Sequence, residues 1–171
     1  MNTIEQMKEK LLKSNFDDFK NALDNYDIQE RDQFGNTILH YYSGHVNDLS
    51  LNFKDVYNEV LARGIDIDDR QSKGIFRRSF LHMAVIQNDI ELFDYLLTKN
   101  PDVNTVDANG NSVLGTAVFN YTKDESAFSH YIEELLKRDA DPDLENNHCV
   151  SAKALAERIA NSDVRKFFKD L

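Results

Sequence analysis

His40 and His82 are the first residues in the chain with the chemistry to act as acid, base or metal ligand, because imidazole changes charge near neutral pH. No His-Glu-x-x-His stretch accompanies them, and His45, His130 and His148 share no ligand spacing with one another. Cys149 directly follows His148, and a cysteine with a histidine can form a nucleophile and its base. Sequence neighbours on a turn seldom aim their side chains at each other, so the pair also reads as an ordinary cysteine ahead of the last helix. The run Asp102 to Asn111 resembles a piece of a calcium loop. With Gly110 in the loop's sixth place, however, Thr105 and Thr116 take the first and last places, where calcium needs carboxylates. Asp66, Asp68 and Asp69 read as a solvated acidic turn. A hydrolase using Cys149 or the histidines stays open as an alternative; no cofactor and no metal is expected.

Composition narrows the field. A chain of 171 residues, 41% hydrophobic and 29% charged, is long enough for one domain with a core of its own and too apolar for disorder. Its one cysteine allows no intramolecular disulfide and no zinc site built on several thiolates. A reducing compartment fits. The first residues show no basic segment leading into an apolar run, and nowhere do apolar residues run long enough for a membrane helix, so a cytoplasmic, water-soluble protein is expected. Twenty Lys and Arg against 30 Asp and Glu give a net charge of -10. That charge repels nucleic acid, whose phosphates dominate its affinity for proteins, and attracts a basic protein partner.

The elements that must position these side chains come from a repeat. Gly64-Ile65-Asp66-Ile67-Asp68, Asn100-Pro101-Asp102-Val103-Asn104 and Asp139-Ala140-Asp141-Pro142-Asp143 share one pattern. Each follows an apolar pair: Val60-Leu61, Leu96-Leu97 and Leu135-Leu136. Asp27-Ile28-Gln29 marks an earlier copy. A second marker falls in step with the first, at Gly35-Asn36-Thr37-Ile38-Leu39-His40, Ser79-Phe80-Leu81-His82 and Gly110-Asn111-Ser112-Val113-Leu114. Two markers in a constant order mean a repeated structural unit.

On these residues the chain resembles the ankyrin repeat family, whose unit runs Asp-x-x-Gly-x-Thr-Pro-Leu-His-x-Ala, a first helix closed by Gly, a second ending Leu-Leu, then Gly-Ala-Asp-Val-Asn. Ser79 to Asn104 match it nearly throughout, with Asn88 where the family has Gly. The unit from Asp32 keeps Gly35, Thr37, Leu39 and His40 but carries Asn47 to Lys54 as extra chain. The unit from Asp107 keeps Gly110, Ser112, Leu114 and Ala117 and lengthens around Tyr121 to Ser129. None has the family proline. The resemblance implies an all-α fold, an ankyrin-repeat solenoid of stacked helix pairs with short β-turn fingers. Full repeats would span 32–68, 69–104 and 105–143, between an N-terminal cap at 1–31 and a C-terminal cap at 144–171. It also implies that His40 and His82 are structural, tying adjacent turns by hydrogen bonds.

Local physics points the same way. In Ile90 to Leu97 the side chains at 90, 93 and 97 share a helical face that needs covering. Thr37, Ser79, Ser112 and Ser151 stand where N-caps belong. The N-terminal cap reads as an amphipathic pair: Ile4, Met7, Leu11 and Leu12, then Phe16, Phe19 and Leu23. The C-terminal one closes on Ala152 to Ala156 and Val164, Phe167 and Phe168.

The departure from the family pattern lies at Asp69 to Ser79, where a short turn becomes a cationic loop with two apolar side chains. It reads either as a solvated loop or as an extended finger that holds a partner, since aromatic and Arg residues anchor interfaces. The family binds proteins with its finger tips and inner-helix face, so the resemblance implies a non-catalytic protein-binding module. By position its contacts would be Gln33, Phe34, Asn36 and His45; Lys73, Ile75, Phe76, Arg77, Arg78, Ile86 and Gln87; and Ala108, Asn109, Asn111, Phe119 and Asn120. A small, acidic, freestanding set of divergent repeats also looks like the ankyrin-type immunity proteins that block a basic toxin. A scaffold or host-directed adaptor is the alternative.

Overall fold

The computed structural model describes residues 1–159 and 162–169, which fall into two compact units, Met1–Phe80 and Leu81–Leu171. Residues 160, 161, 170 and 171 of the expected C-terminal cap lie outside the described residues. Extended pairing among the described residues is confined to single bridges, such as Arg70 with Ser79 and Val106 with Ser112.

The first unit begins with α1 (Ile4–Lys13) and α2 (Phe16–Leu23). Thr3 caps α1 reciprocally: its hydroxyl accepts from the Gln6 amide at 3.4 Å while the Gln6 side chain accepts from the Thr3 amide at 2.9 Å. Asn15 caps α2 through the Asp18 amide at 2.9 Å. Ile4, Met7, Leu11, Phe19 and Leu23 are buried as expected, whereas Leu12 faces outward. A Thr-capped α3 (Ile38–Gly44) packs on α1, and α4 (Phe53–Ala62) packs on α2. The extra chain between α3 and α4 forms a 3-10 turn at Val46–Asp48 and buries Leu51, whose carbonyl accepts the Tyr42 hydroxyl. Tyr57 stands at the centre of this core, with its hydroxyl 2.5 Å from Ser43 Oγ and its ring edge-on to Phe80 at 5.9 Å.

The second unit takes in α5 (Phe80–Gln87) from Leu81 onward, then α6 (Ile90–Leu97), α7 (Val113–Asn120), α8 (Glu125–Leu136) and α9 (Ala152–Arg158). A 3-10 turn at Tyr121–Lys123 accounts for the lengthened third unit, and a 3-10 segment at Ser162–Phe168 packs on α8 and α9. The expected face of α6 needs correction. Leu92, Phe93, Leu96 and Leu97 are buried, while Ile90 is 37% exposed. At about 100° per residue the four buried positions form one arc, and Ile90 lies farther from its centre than any of them. Tyr131 fills the space beneath, 4.8 Å from the Phe93 ring and 5.4 Å from Phe128.

Left-handed residues make the turn between α5 and α6 and close three of the second helices. Asn88 has φ 55°, and Gly64, Asn100 and Asp139 close the second helices at φ 101°, 53° and 60°. Asn tolerates this region better than most residues with a side chain. At Asn88 it also adds partners: its Oδ1 accepts from the Tyr131 hydroxyl and its Nδ2 donates to Asp124 Oδ2, both at 3.2 Å.

Candidate protein-binding fingers

The first marker of the repeat has one atomic cause. The carboxylates of Asp27, Asp66, Asp102 and Asp141 each accept the backbone N–H two residues on, at 3.0, 3.0, 2.9 and 2.9 Å. Each aspartate therefore folds the chain back after a second helix, as Asx turns do.

The second marker builds the fingers. Asp32 Oδ1 accepts the amides of Phe34 and Asn36, both at 2.9 Å, and Asp107 Oδ1 accepts those of Asn109 and Asn111 at 2.8 and 2.9 Å. A further finger, missed in the sequence reading, repeats this at Asn146, whose Oδ1 accepts from His148 and Val150 at 2.9 and 3.1 Å. Its signal was the spacing: Asn146 precedes Ser151 by the interval that separates Asp107 from Ser112 and Asp32 from Thr37. Ser112 and Ser151 cap α7 and α9 through Gly115 and Ala154 amides at 3.0 and 3.1 Å.

Within each unit the fingers are joined edge to edge. In the first, Ser72 N–H donates to Gly35 O at 3.0 Å and Gln71 Nε2 to Asn36 Oδ1 at 2.7 Å. In the second, Asn147 N–H donates to Asn109 O at 2.9 Å and Asn146 Nδ2 to Asn111 Oδ1 at 2.8 Å. This approach demands glycine. A Cβ on Gly35 would run into the Lys73 amide nitrogen and come within 2.7 Å of Ser72 Oγ, and one on Gly110 would lie 2.8 and 2.9 Å from Asn147 Oδ1 and N. Both glycines also have positive φ, 81° and 78°.

The finger at 69–79 follows the same plan with a wider mouth. Gln71 takes the place of Asp32: its N–H donates to Arg78 O and its Oε1 accepts from Arg78 N–H, both at 3.1 Å. Glutamine's extra methylene suits a loop with more residues to span. Arg77 stands where the neighbouring finger has Gly35 and keeps the left-handed backbone at φ 47°. The Arg78 guanidinium lies over the Phe76 ring, 4.0 Å from its centroid.

Buried charge fixes the base of these fingers. Asp32, with a side chain 1% exposed, pairs with Lys8 at 2.8 Å. Burial pushes its carboxyl up, but hydrogen bonds from Lys8 and from the Asn36 backbone and side chain outweigh this and hold it below the usual aspartate value. Asp69 corrects the reading of a solvated acidic turn. Its carboxylate accepts from Arg31 at 2.6 Å, and the same guanidinium donates to Arg70 O at 2.9 Å and Gly35 O at 3.2 Å.

The histidines divide. His82 Nε2 donates to Asn111 O at 3.0 Å, tying α5 to the following finger as the resemblance implies. His40 Nδ1 lies 3.3 Å from the Thr37 amide and 2.8 Å from its hydroxyl, while its buried Nε2 has no partner among the described residues. Burial pushes the His40 pKa down to about 4. Cys149 is exposed and occupies the glycine place of the last finger at φ 55°. Among the described residues no three His, Cys, Asp or Glu side chains are grouped to hold a metal, and no helix is long and apolar enough to cross a membrane.

The candidate contacts are now placed. Phe34, Ile75 and Phe119 are 62%, 76% and 69% exposed, and Phe76 is 39% exposed. Gln33, His45, Lys73, Arg77 and Gln87 are also exposed; Arg78, Ile86, Ala108 and Asn109 are half-buried. His45 ends α3 with its ring stacked on Tyr41 at 4.3 Å. Asn36 and Asn111 spend their side chains within and between fingers. Asn120 is buried, its amide donating to Thr116 O at 2.8 Å, so it has little to offer a partner. Gly35 and Asn36, next to Phe34 in sequence, are bonded to Ser72 and Gln71 of the 69–79 finger.

The family model described as "Ankyrin repeats (many copies)" matches residues 81–124, the stretch that contains α5 from its second residue, α6, α7 and the finger between α6 and α7. No curated protein matches the chain. Residues 81–124, with the Asx-turn finger at Asp107, thus carry ankyrin repeats.

Proposed function

We propose that the chain is a protein-binding module that catalyses nothing and grips its partner with the finger loops and the exposed ends of the first helices. The observation that supports this is the exposure of Phe34 and Ile75 on finger loops and of Phe119 on α7, at 62%, 76% and 69%. Loops carried by a rigid scaffold are where binding residues concentrate, and aromatic side chains exposed there can anchor a partner. Ankyrin repeats mediate binding to other proteins, which supports the same reading.

The partner is a basic protein. A net charge of -10 accelerates the approach of a cation through the summed field and adds little to the lifetime of the complex. Within that class the favoured partner is a toxin that this chain blocks, on the strength of its likeness to acidic ankyrin-type immunity proteins; a scaffold or host-directed adaptor role is the alternative. The test is capture of the partner from the native host by the full chain, with identification of the neighbouring gene's product. Toxin inhibition on mixing supports the blocking role, and a partner that keeps its activity when bound supports the adaptor. A panel of generic hydrolase substrates disposes of catalysis: turnover lost in Cys149→Ala overturns the non-catalytic reading.

A further inference from the structure

Within the first unit, two joined fingers carry charge of the opposite sign to the chain. From Arg70 to Arg78 there are four cations and no carboxylate, in a protein of net charge -10. The carboxylates that flank these fingers are already engaged, Asp32 with Lys8 at 2.8 Å and Asp69 with Arg31 at 2.6 Å. Lys73 and Arg77 are exposed and make no ion pair among the described residues. Ile75 of the same loop is 76% exposed, and Phe34, next to the Gly35 that bonds Ser72, is 62% exposed. Phe76 has one face covered by the Arg78 guanidinium at 4.0 Å, which fixes that cation over the ring.

Backbone geometry adds an independent observation. At Gly35 and Gly110 positive φ and the next finger's approach require glycine, whereas the equivalent place here holds Arg77 at φ 47°, as it holds Cys149 at φ 55° in the last finger. Gly74, three residues earlier, bends the loop at φ 89° with nothing near it. A bulky cation kept in a conformation that glycine adopts freely is the kind of local strain that marks a functional position. The base of the loop is pinned by Gln71 and by the bonds to Gly35 and Asn36, so the backbone that carries the cations and apolar side chains is tied at both ends.

Resting on the reading of the chain as a protein-binding module, we infer that the knuckle formed by Phe34 and residues 72–78 receives an extended acidic segment of the partner protein, with carboxylates on either side of an aliphatic or aromatic side chain. Lys73, Arg77 and Arg78 meet the carboxylates, while Ile75, Phe34 and the rim of Phe76 cover the apolar residue. The segment is acidic even where the partner as a whole is basic. Long-range steering responds to net charge, and contact responds to the few groups within a Debye length. A nucleic acid fits less well, because the rest of the chain repels phosphate and the knuckle exposes apolar side chains rather than a continuous basic track.

The test is selection of short random peptides displayed on phage against the full chain at physiological salt. Enriched sequences are then made as labelled peptides and titrated by fluorescence anisotropy, with a labelled single-stranded oligonucleotide alongside. The expected result is enrichment of carboxylates flanking Leu, Ile, Phe or Tyr, and affinity about tenfold or more weaker for the double variant Lys73→Glu, Arg77→Glu. Arg77→Gly should weaken binding without lowering the unfolding midpoint, since glycine accepts that backbone, which separates contact from stability. No enrichment, enrichment of neutral or basic peptides, undiminished binding to the double variant, or knuckle-dependent binding of the oligonucleotide overturns the inference. Peptides that ignore the knuckle but are lost in Phe119→Ala sink the acidic-segment inference and leave the module reading standing. A partner captured from the host whose binding is unchanged in both Phe34→Ala and Phe119→Ala strikes the module reading itself.

Discussion

Cys149 and Gly110 occupy the same place in two fingers, and only the glycine is obliged to be there. Both have positive φ, 55° and 78°, but a Cβ at 110 collides with Asn147. Gly110→Ala should therefore cost more than about 1 kcal/mol, while Cys149→Gly should leave the urea midpoint nearly unchanged. Equal effects of the two would show that the fingers are not joined as described. His40 makes a second residue-scale prediction. With its pKa pushed down to about 4 from the usual 6.5, the folded chain refuses a proton that the unfolded chain accepts between those values. The stability from keeping His40 neutral is complete above the unfolded value and is lost as pH falls from 6.5 to 4, on the order of 3 kcal/mol in all. Below that range protonation of Asp32, whose carboxyl is held down in the fold, lowers stability further in the same direction. His40→Gln keeps an acceptor for the Thr37 amide, as in a capping box, and should flatten the slope between pH 6.5 and 4 in urea titrations. An unchanged slope would place the proton uptake elsewhere.

At the scale of elements, Leu96→Ala removes a fully buried side chain from α6 and should destabilise the second unit by roughly 2 to 5 kcal/mol. Ile90→Ala should cost far less, because Ile90 sits at the rim. Reversal of that order would put the helix in another register. The contrast also shows what the sequence could and could not disclose. The aspartates at 27, 66, 102 and 141 were legible because each makes the same short-range bond, and short-range bonds leave a spacing behind. The finger at Asn146 keeps the same interval to its helix cap, but Cys149 stands in the place of Gly35 and Gly110 and Val150 in that of Asn36 and Asn111, so the second marker does not recur there. Long-range facts left no pattern. Nothing in the spacing tells that Lys8 meets Asp32 or that Arg31 reaches Asp69. The candidate contacts were legible as positions only, since exposure separates Phe119 from its neighbour Asn120 and one position along a helix swings a side chain by about 100°.

Across the molecule, charge and contact play separate parts. The net charge of -10 should make association with a basic partner slow as salt rises, because a shorter Debye length screens the field. The knuckle's apolar burial is indifferent to salt and should govern dissociation. The most direct test of this account is to measure both rate constants at low and high salt for the captured partner, comparing wild type with a variant lacking Gly74, Ile75 and Phe76. Association that falls with salt equally in both proteins, together with dissociation from the deletion variant faster by about fivefold or more, equivalent to about 1 kcal/mol, is the predicted result. A deletion variant that releases the partner no faster than wild type would contradict the claim that the fingers hold it.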